Sequence, residues 1–287
     1  MLLLQWLWHR FPHQAESGVL HFPYWGLPLH KETRAQVYWG YGTLLGDRDI
    51  NEHEFDWIKW DVYIARKKNR PPALTALEVV KLVTNVMVPF QGDLKMLDFS
   101  EDNIYSDHMA KLVSWHRYYT RFWKQSMLFC DIRWPDMVNM RRPDKVGSTG
   151  TAEPEYYEAV TGKRLSFVEG IELGRRIWNL DHAIWTLQGR HRDMVEFCDN
   201  VYEKKLSLSN ADVPNCHLPG LENGKWDYHG YSKRKLDRTK FNQFKTLFYK
   251  RQGWETATGY PTRITLEGLN LGYVADELEE YGQLGQV

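Results

Sequence analysis

The chain has 287 residues, of which 43% are hydrophobic and 26% charged, values typical of a globular protein that builds one large domain or two small ones. Lysine plus arginine equals aspartate plus glutamate, at 37 each, and this balance argues against a nucleic-acid-binding protein, which usually carries a basic excess. The three cysteines lack Cys-x-x-Cys spacing, so neither a zinc site nor a thioredoxin-like motif is indicated. An odd number of thiols and the lack of an apolar run of about 18 residues predict a cytoplasmic protein without a membrane span.

The first half of the chain contains two predicted helices. Residues 1–70 show no clean period, and Arg70-Pro71-Pro72 ends this region because a residue before proline avoids the helical conformation. A helix of about three turns is predicted to begin at Thr75 and to end before Pro89. A long amphipathic helix is predicted from Asp107 to Phe129, since its apolar residues recur at a spacing near 3.6.

Capping signals define the helices of the second half. Ser166 and Glu169 form a capping box, which opens a helix that ends near Gly189. Asp237 caps a further helix, and Gly253 stands where a left-handed residue is expected to end it.

The remaining segments are predicted to be loops, apart from one short helix at the end. The stretches Asn139–Thr151 and Ser207–Ser232 are rich in glycine, proline and polar residues, which is typical of loops. The last helix is predicted from Tyr273 to Tyr281, before Gly282. Because alternating strand patterns are scarce, the predicted fold class is mostly α.

The cysteines are the first candidates for chemistry, since the standard hydrolase, nucleotide-binding and zinc-helix motifs are absent from the sequence. Cys130 follows the long predicted helix, where a buried structural thiol and a metal-cluster ligand are equally good interpretations. Cys198 lies in a helical pattern and is expected in the core. Cys216 lies in a loop and is interpreted as an incidental thiol.

The densest group of ionisable residues lies between Asp47 and Glu54 and includes Arg48 and His53. A carboxylate beside a histidine can orient the ring or raise its pKa for proton transfer. Sequence neighbours on a loop usually point apart, so a solvated loop is the simpler interpretation of this group.

Several segments in the second half resemble one enzyme family when they are taken in order. They correspond to the patterns Gly-x-Arg-Ile-x-x-Leu, Leu-Pro, Tyr-Tyr-x-x-x-Gly-Trp and a final Gly-Tyr-Pro-Thr with Leu-Asn-Leu-Gly. The segments are Gly174–Leu180, Leu218-Pro219, Phe248–Trp254, Gly259–Thr262 and Leu269–Gly272. Together they resemble the carboxy-terminal portion of the tungsten-containing aldehyde:ferredoxin oxidoreductases, a family that includes the tungsten subunit of benzoyl-CoA reductase.

The resemblance implies a domain division and several site residues. Residues 1–70 would be the remainder of a middle helical domain, and residues 71–287 a carboxy-terminal helical domain. The family motif Asp-x-x-Gly-Leu-Cys, whose cysteine ligates a 4Fe-4S cluster and whose aspartate contacts a pterin, corresponds to Gln125–Cys130 here. Cys130 is therefore the expected cluster ligand, and Gln125 and Phe129 are expected cofactor contacts, although Gln125 replaces the aspartate and Leu128-Phe129 replace Gly-Leu.

Two further positions follow from a looser match. Gly46 to His53 resembles a family segment with arginine and histidine near the metal, which implies that Arg48 contacts the cofactor and that His53 is catalytic. The family often has arginine and asparagine where this chain has His182 and Trp185.

The implied activity is the oxidation of an aldehyde, or a related carbonyl compound, with ferredoxin as electron acceptor. The implied cofactors are a tungsten-bis(pyranopterin), with molybdenum as the alternative metal, and a 4Fe-4S cluster. The family's other cluster cysteines, Cys-x-x-Cys-x-x-x-Cys, and its pterin-binding amino-terminal domain are absent from the sequence. The expected partners are therefore the missing amino-terminal half or a separate subunit, and ferredoxin or another electron-transfer subunit, in an oligomer. The alternatives are a benzoyl-CoA-reductase-like tungsten subunit, a non-catalytic helical scaffold and an inactive truncated family member.

Overall fold

The computed structural model describes residues 33–46, 56–129, 137–205, 217–231 and 233–287. Helices dominate these residues, and the only two strands among them form one antiparallel hairpin. The mostly α prediction is therefore confirmed. The helices are α1 (Val37–Leu45), α2 (Asp56–Lys67), α3 (Ala76–Thr84), α4 (Asp107–Tyr119), α5 (Ala152–Thr161), α6 (Phe167–Leu187), α7 (Asp199–Glu203), α8 (Arg238–Gln252), α9 (Arg263–Gly268) and α10 (Gly272–Glu280).

Side-chain caps fix the starts of α3 and α6, as the sequence predicts. At α3, Thr75 N donates to Glu78 Oε2 at 2.7 Å while Glu78 N donates to Thr75 Oγ1 at 3.3 Å. Ser166 and Glu169 form the same reciprocal pair at the start of α6. Each box satisfies two backbone amides that the first helical turn leaves without an acceptor.

The predictions for α8 and α10 are also confirmed. The Asp237 carboxylate accepts a hydrogen bond from Lys240 N at 2.9 Å. Gly253 has φ 72° and ends α8, because glycine enters the left-handed region at little cost. The last helix, α10, lies within one residue of its predicted bounds.

The long helix predicted from Asp107 to Phe129 is not uniform. Regular α-helix ends at Tyr119, and the chain continues as a π-helix over Thr120–Lys124. Such a segment widens the turn and shifts the residues that follow it around the helix axis, which a search for a 3.6-residue period does not detect. The shift places the Gln125–Phe129 turn directly after the π-helix.

The prediction that Ser207–Ser232 is a loop is wrong for its second half. Strands β1 (His217–Glu222) and β2 (Lys225–Gly230) pair antiparallel in this segment. Asn223 and Gly224 connect them with φ 51° and 77°, which is the left-handed pair that a two-residue hairpin turn requires. The strand was not predicted because Pro219 disfavours a strand in the middle of a sheet. A two-stranded hairpin has only edge strands, which tolerate proline.

The described helices surround one large apolar core, to which α1, α3, α4, α6 and α8 contribute, and a smaller core joins α9 and α10 to α6. Helices α1, α2, α5, α7 and α9 are additions to the sequence prediction. The large core contains residues on both sides of residue 70, and the domain division at that residue stays a prediction. Within the described part of the chain, every helix is too short or too polar to cross a membrane.

Candidate functional site

The structure places two of the five predicted site residues. Gln125 and Phe129 lie in the turn that follows the π-helix, and both are half-buried. The Phe129 ring meets the Tyr156 ring of α5 edge-on, with centroids 5.7 Å apart and planes 72° from parallel. Arg48, His53 and Cys130 lie outside the described residues, so their roles stay predictions.

Backbone hydrogen bonds give the Gln125–Phe129 turn the geometry of a helix end. Phe129 N donates to Lys124 O at 3.2 Å, and Leu128 N donates to Gln125 O at 3.4 Å. The backbone of Leu128 is left-handed, with φ 54°. This is the Schellman arrangement, whose left-handed position is usually glycine, and it gives a physical reason for the glycine that the family motif carries where this chain has leucine.

A second part of the site is the end of α1, directly before the segment that contains Arg48 and His53. Arg190 donates from Nη1 to Gly46 O and from Nη2 to Leu44 O, each at 2.7 Å. Arg117 lies against the same turn, since a Cβ at Gly42 would be 2.6 Å from its Nη2 and a Cβ at Gly46 would be 2.9 Å from its Nη1. The sequence analysis missed both arginines. The only signal for them was the pair Gly42 and Gly46, whose four-residue spacing leaves room for a side chain on one face of the helix end.

Buried basic side chains lie near these helix ends, namely Arg117, Lys124 and Arg190. Burial holds the pKa of His116 well below its usual value, and the charges of Arg117 and Lys124 lower it further. Burial also lowers the pKa of His182 to about 3, with a further contribution from Arg190, while its bond to Gly259 opposes the shift. Both imidazoles are therefore neutral near pH 7, and the buried arginines and lysine supply the positive charge.

Aromatic rings pack around α6 near Arg190 and Arg121. The His182 ring lies flat on Trp254, with centroids 3.5 Å apart and planes 4° from parallel. His182 Nε2 donates to Gly259 O at 2.7 Å, because a carbonyl oxygen can only accept. Trp185 lies between the guanidinium groups of Arg190, at 5.1 Å, and Arg121, at 5.8 Å. His182 and Trp185, which stand where the family often has arginine and asparagine, also contact each other, with ring centroids 6.1 Å apart.

The described residues do not by themselves fit a metal centre. Within them, no three histidine, cysteine, aspartate or glutamate side chains come together as metal ligands would. Cys198 is half-buried, and burial raises the pKa of its thiol to about 11.

Comparison with known proteins assigns the family. Residues 73–271 match the family described as aldehyde ferredoxin oxidoreductase, domains 2 and 3. The chain belongs to the aldehyde ferredoxin oxidoreductase family. The match spans well over half of the chain, covers every helix from α3 to α9, and includes the Gln125–Phe129 turn and both residues of the His182–Trp254 stack.

Among solved structures, the chain is similar to a chain of the active site complex BamBC of benzoyl coenzyme A reductase in complex with 1,5-dienoyl-CoA. The two are 17% identical, with a TM-score of 0.44, over 70% of this chain and 26% of that chain. This chain therefore spans about a quarter of the length of the chain that it resembles.

Proposed function

We propose that this chain is the carboxy-terminal part of a tungsten-pterin, iron-sulfur oxidoreductase that oxidises an aldehyde or a related carbonyl compound. The observation that carries the proposal is the match of residues 73–271 to the family's domains 2 and 3. Ferredoxin is the proposed electron acceptor, and tungsten the proposed metal, with molybdenum as its alternative.

The Gln125 turn is the proposed contact for an anionic cofactor. Lys124 is buried directly before this turn, and a cation held in a low-dielectric environment attracts a phosphate-bearing group more strongly than it would in water. The Gln125 amide both donates and accepts hydrogen bonds, so it can bind a pterin edge in place of an aspartate. We assign Arg48 and Phe129 to the same cofactor contact.

When bound, the metal and the cluster would supply the redox chemistry, in which an aldehyde and water become a carboxylic acid with release of two electrons and two protons. Cys130 is the proposed cluster ligand from this chain, and His53 the proposed residue that exchanges a proton with the substrate. Since a 4Fe-4S cluster is usually held by four cysteines and the chain has three, we propose that the remaining cluster cysteines come from an amino-terminal half or from another subunit.

This chain's own contribution to the reaction is to hold and shape the site. Arg190 and Arg117 fix the end of α1, and with it the point where the Arg48–His53 segment begins. Trp185 is half-buried and is held by the buried rings of Trp178 and His182, and we propose that its exposed part contacts apolar substrates.

The test is metal analysis of protein purified anaerobically from its native source, together with the intact mass of the chain and of anything that co-purifies. Tungsten or molybdenum with iron is the expected result. Cys130→Ala should lower the iron content of the assembled protein, whereas Cys198→Ala should leave it unchanged. A metal-free protein would contradict the proposal and favour a helical scaffold or an inactive family member. Reduction of an aromatic CoA thioester, without aldehyde oxidation, would replace the proposed substrate by that of a benzoyl-CoA-reductase-like subunit.

A further inference from the structure

The turn of the β-hairpin contains a dipeptide that occurs once in this chain. Asn223-Gly224 is the only Asn-Gly pair in the sequence, and both residues are exposed. They connect β1 and β2 with φ 51° and 77°. Asparagine is a thermolabile residue, because the backbone nitrogen that follows it can attack its side-chain carbonyl carbon. Glycine in the next position leaves that nitrogen unshielded, since it carries no Cβ.

The hydrogen bonding of this turn leaves both reacting groups available. In the described part of the chain, neither the side-chain amide of Asn223 nor the backbone N–H of Gly224 takes part in a hydrogen bond. The exposed tip of a two-stranded hairpin opens at a low cost in free energy. The nitrogen and the carbonyl carbon can therefore reach each other without unfolding of the core.

Two other asparagines share the left-handed backbone of Asn223 but not its surroundings. Asn69 has φ 47° and Asn270 has φ 56°, and both are exposed. The nitrogen that follows each of them is held, since Arg70 N and Leu271 N donate backbone hydrogen bonds at 3.0 Å and 2.8 Å. Each of these following residues also carries a Cβ that crowds the nitrogen. Among the three asparagines, only Asn223 combines exposure with a free and unshielded nitrogen.

We infer that Asn223 is a site of spontaneous deamidation. The Gly224 nitrogen forms a bond to Cγ of Asn223, the bond from Cγ to Nδ2 breaks, and ammonia leaves with the proton that the Gly224 nitrogen gives up. The product is a cyclic succinimide, which water opens at either of its carbonyl carbons. One opening gives aspartate at residue 223, and the other gives isoaspartate, in which the backbone runs through the side chain. Neither step needs an oxidant, a cofactor or a partner, so the inference does not rest on the proposed function.

The modification would change the hairpin in two ways. Either product adds a carboxylate at residue 223, directly after the exposed Glu222. Isoaspartate also lengthens the backbone by one atom, whereas a two-residue turn leaves no spare length between the paired Glu222 and Lys225. Because Leu221 N still donates to Asp98 Oδ1 at 2.9 Å, the loss of strand pairing should stay near the turn.

A time course on the purified full chain tests the inference. The protein is incubated in mildly alkaline buffer, digested at acidic pH to stop the reaction, and mapped by tandem mass spectrometry, which separates acid from amide at each asparagine. Endoproteinase Asp-N cleaves before aspartate but not before isoaspartate, and so distinguishes the two products. Acid should accumulate at residue 223 about tenfold faster than at Asn69 and Asn270, where a Cβ shields the nucleophile. Equal rates at the three positions would overturn the inference.

The Gly224→Ala variant separates attack by the backbone nitrogen from simple exposure of the turn. Alanine shields the nitrogen but is strained at φ 77°, so the variant should open the turn more often. If the nitrogen is the nucleophile, acid formation at residue 223 should nevertheless fall about tenfold. Gly282→Ala is the matched control, since Gly282 is also exposed, has φ 66°, and has no atom within 4 Å of an added Cβ. The control should keep the wild-type rate, and a faster reaction in Gly224→Ala would overturn the inference.

Thermal unfolding tests the expected effect on the hairpin. Asn223→Asp supplies the aspartate product directly, without the longer backbone. Aged protein that contains isoaspartate, separated from unmodified chains by ion exchange, should have a Tm about 2–4 °C below that of Asn223→Asp. An equal Tm would overturn the proposed loss of strand pairing at the turn.

Discussion

Gly174 on α6 lies against the backbone carbonyl of Tyr118 on α4, so closely that a Cβ at residue 174 would be 1.7 Å from the carbonyl oxygen. Gly170, one turn earlier, lies in the same way against the indole of Trp123, where a Cβ would be 2.1 Å from the ring. The two glycines let α6 pack directly on the helix that carries the Gln125 turn. Gly174 is also the first residue of the segment that resembles the family's helix. Its contact with the Tyr118 carbonyl gives a physical reason for glycine at this position.

The Gly174→Ala variant should therefore destabilise the protein. The added methyl group meets backbone rather than a movable side chain, so α4 and α6 must separate, at a cost of about 3 kcal/mol in the free energy of unfolding. Gly268→Ala is the control, since a Cβ there meets no atom within 4 Å and the alanine should stabilise α9 by up to about 0.5 kcal/mol. Denaturant unfolding measures both, and equal stability of the two variants would contradict the proposed close packing.

Gln252 connects three helices in the core. Its Oε1 accepts from Tyr118 Oη at 3.1 Å and from Trp178 Nε1 at 3.2 Å, and its Nε2 donates to Ser114 Oγ at 2.7 Å. Gln252→Leu should cost about 3 kcal/mol, because two buried donors lose their acceptor. In a Tyr118→Phe background the same change should cost about 1 kcal/mol less. Equal costs in the two backgrounds, measured by denaturant unfolding, would show that the Tyr118 bond contributes nothing.

Arg190 holds the end of α1 through its bonds to Leu44 O and Gly46 O. Arg190→Met should remove both, at a cost of about 2 kcal/mol, and should speed amide hydrogen exchange in the last turn of α1. Arg192→Met is a matched control two residues away, since Arg192 also bonds two backbone carbonyls, those of Thr256 and Asn242. The control should leave exchange in α1 at the wild-type rate. If both variants accelerate it equally, the effect of Arg190 is not local.

The parts of the fold that the sequence predicted correctly are those with short-range causes. The helix start at Thr75, the capping box at Ser166 and the left-handed Gly253 each involve residues within one turn of one another, so their signals are contiguous in sequence. The Asn223-Gly224 turn is equally local, but the hairpin around it was missed because Pro219 and Gly220 count against a strand everywhere except at a sheet edge.

The candidate site was less predictable because its contacts are long-range. The resemblance located the Gln125–Phe129 turn, yet neither the π-helix before it nor the left-handed conformation of Leu128 has a signal in the sequence. Arg190 and the carbonyl of Gly46 are 144 residues apart, and nothing in either segment indicates the other. Contacts of this kind depend on the packing of α1, α4 and α6, and only the folded chain brings them together.

The stack of His182 on Trp254 predicts a loss of stability in mild acid. The pKa of His182 is about 3 in the folded protein and about 6.5 in an unfolded chain. Below pH 6.5 the unfolded chain therefore takes up a proton that the folded protein does not, and this binding lowers the free energy of the unfolded state relative to the folded one. The stabilisation is complete above pH 6.5 and is lost as the pH falls from 6.5 towards 3.

His182→Gln should reduce this dependence while keeping an amide donor for Gly259 O. Between pH 7 and pH 5 one such histidine costs about 2 kcal/mol of unfolding free energy, and the variant should lose that much less than the wild type. His217, whose pKa burial lowers to about 4, and His116 keep a dependence of the same sign in the variant. Urea unfolding of both proteins at pH 7 and pH 5 measures this difference in unfolding free energy. Most carboxylates take up protons below this pH range. Identical pH dependence of the two proteins would mean that His182 titrates in the folded state near its ordinary pKa, and that the ring is not held neutral between Trp254 and Arg190.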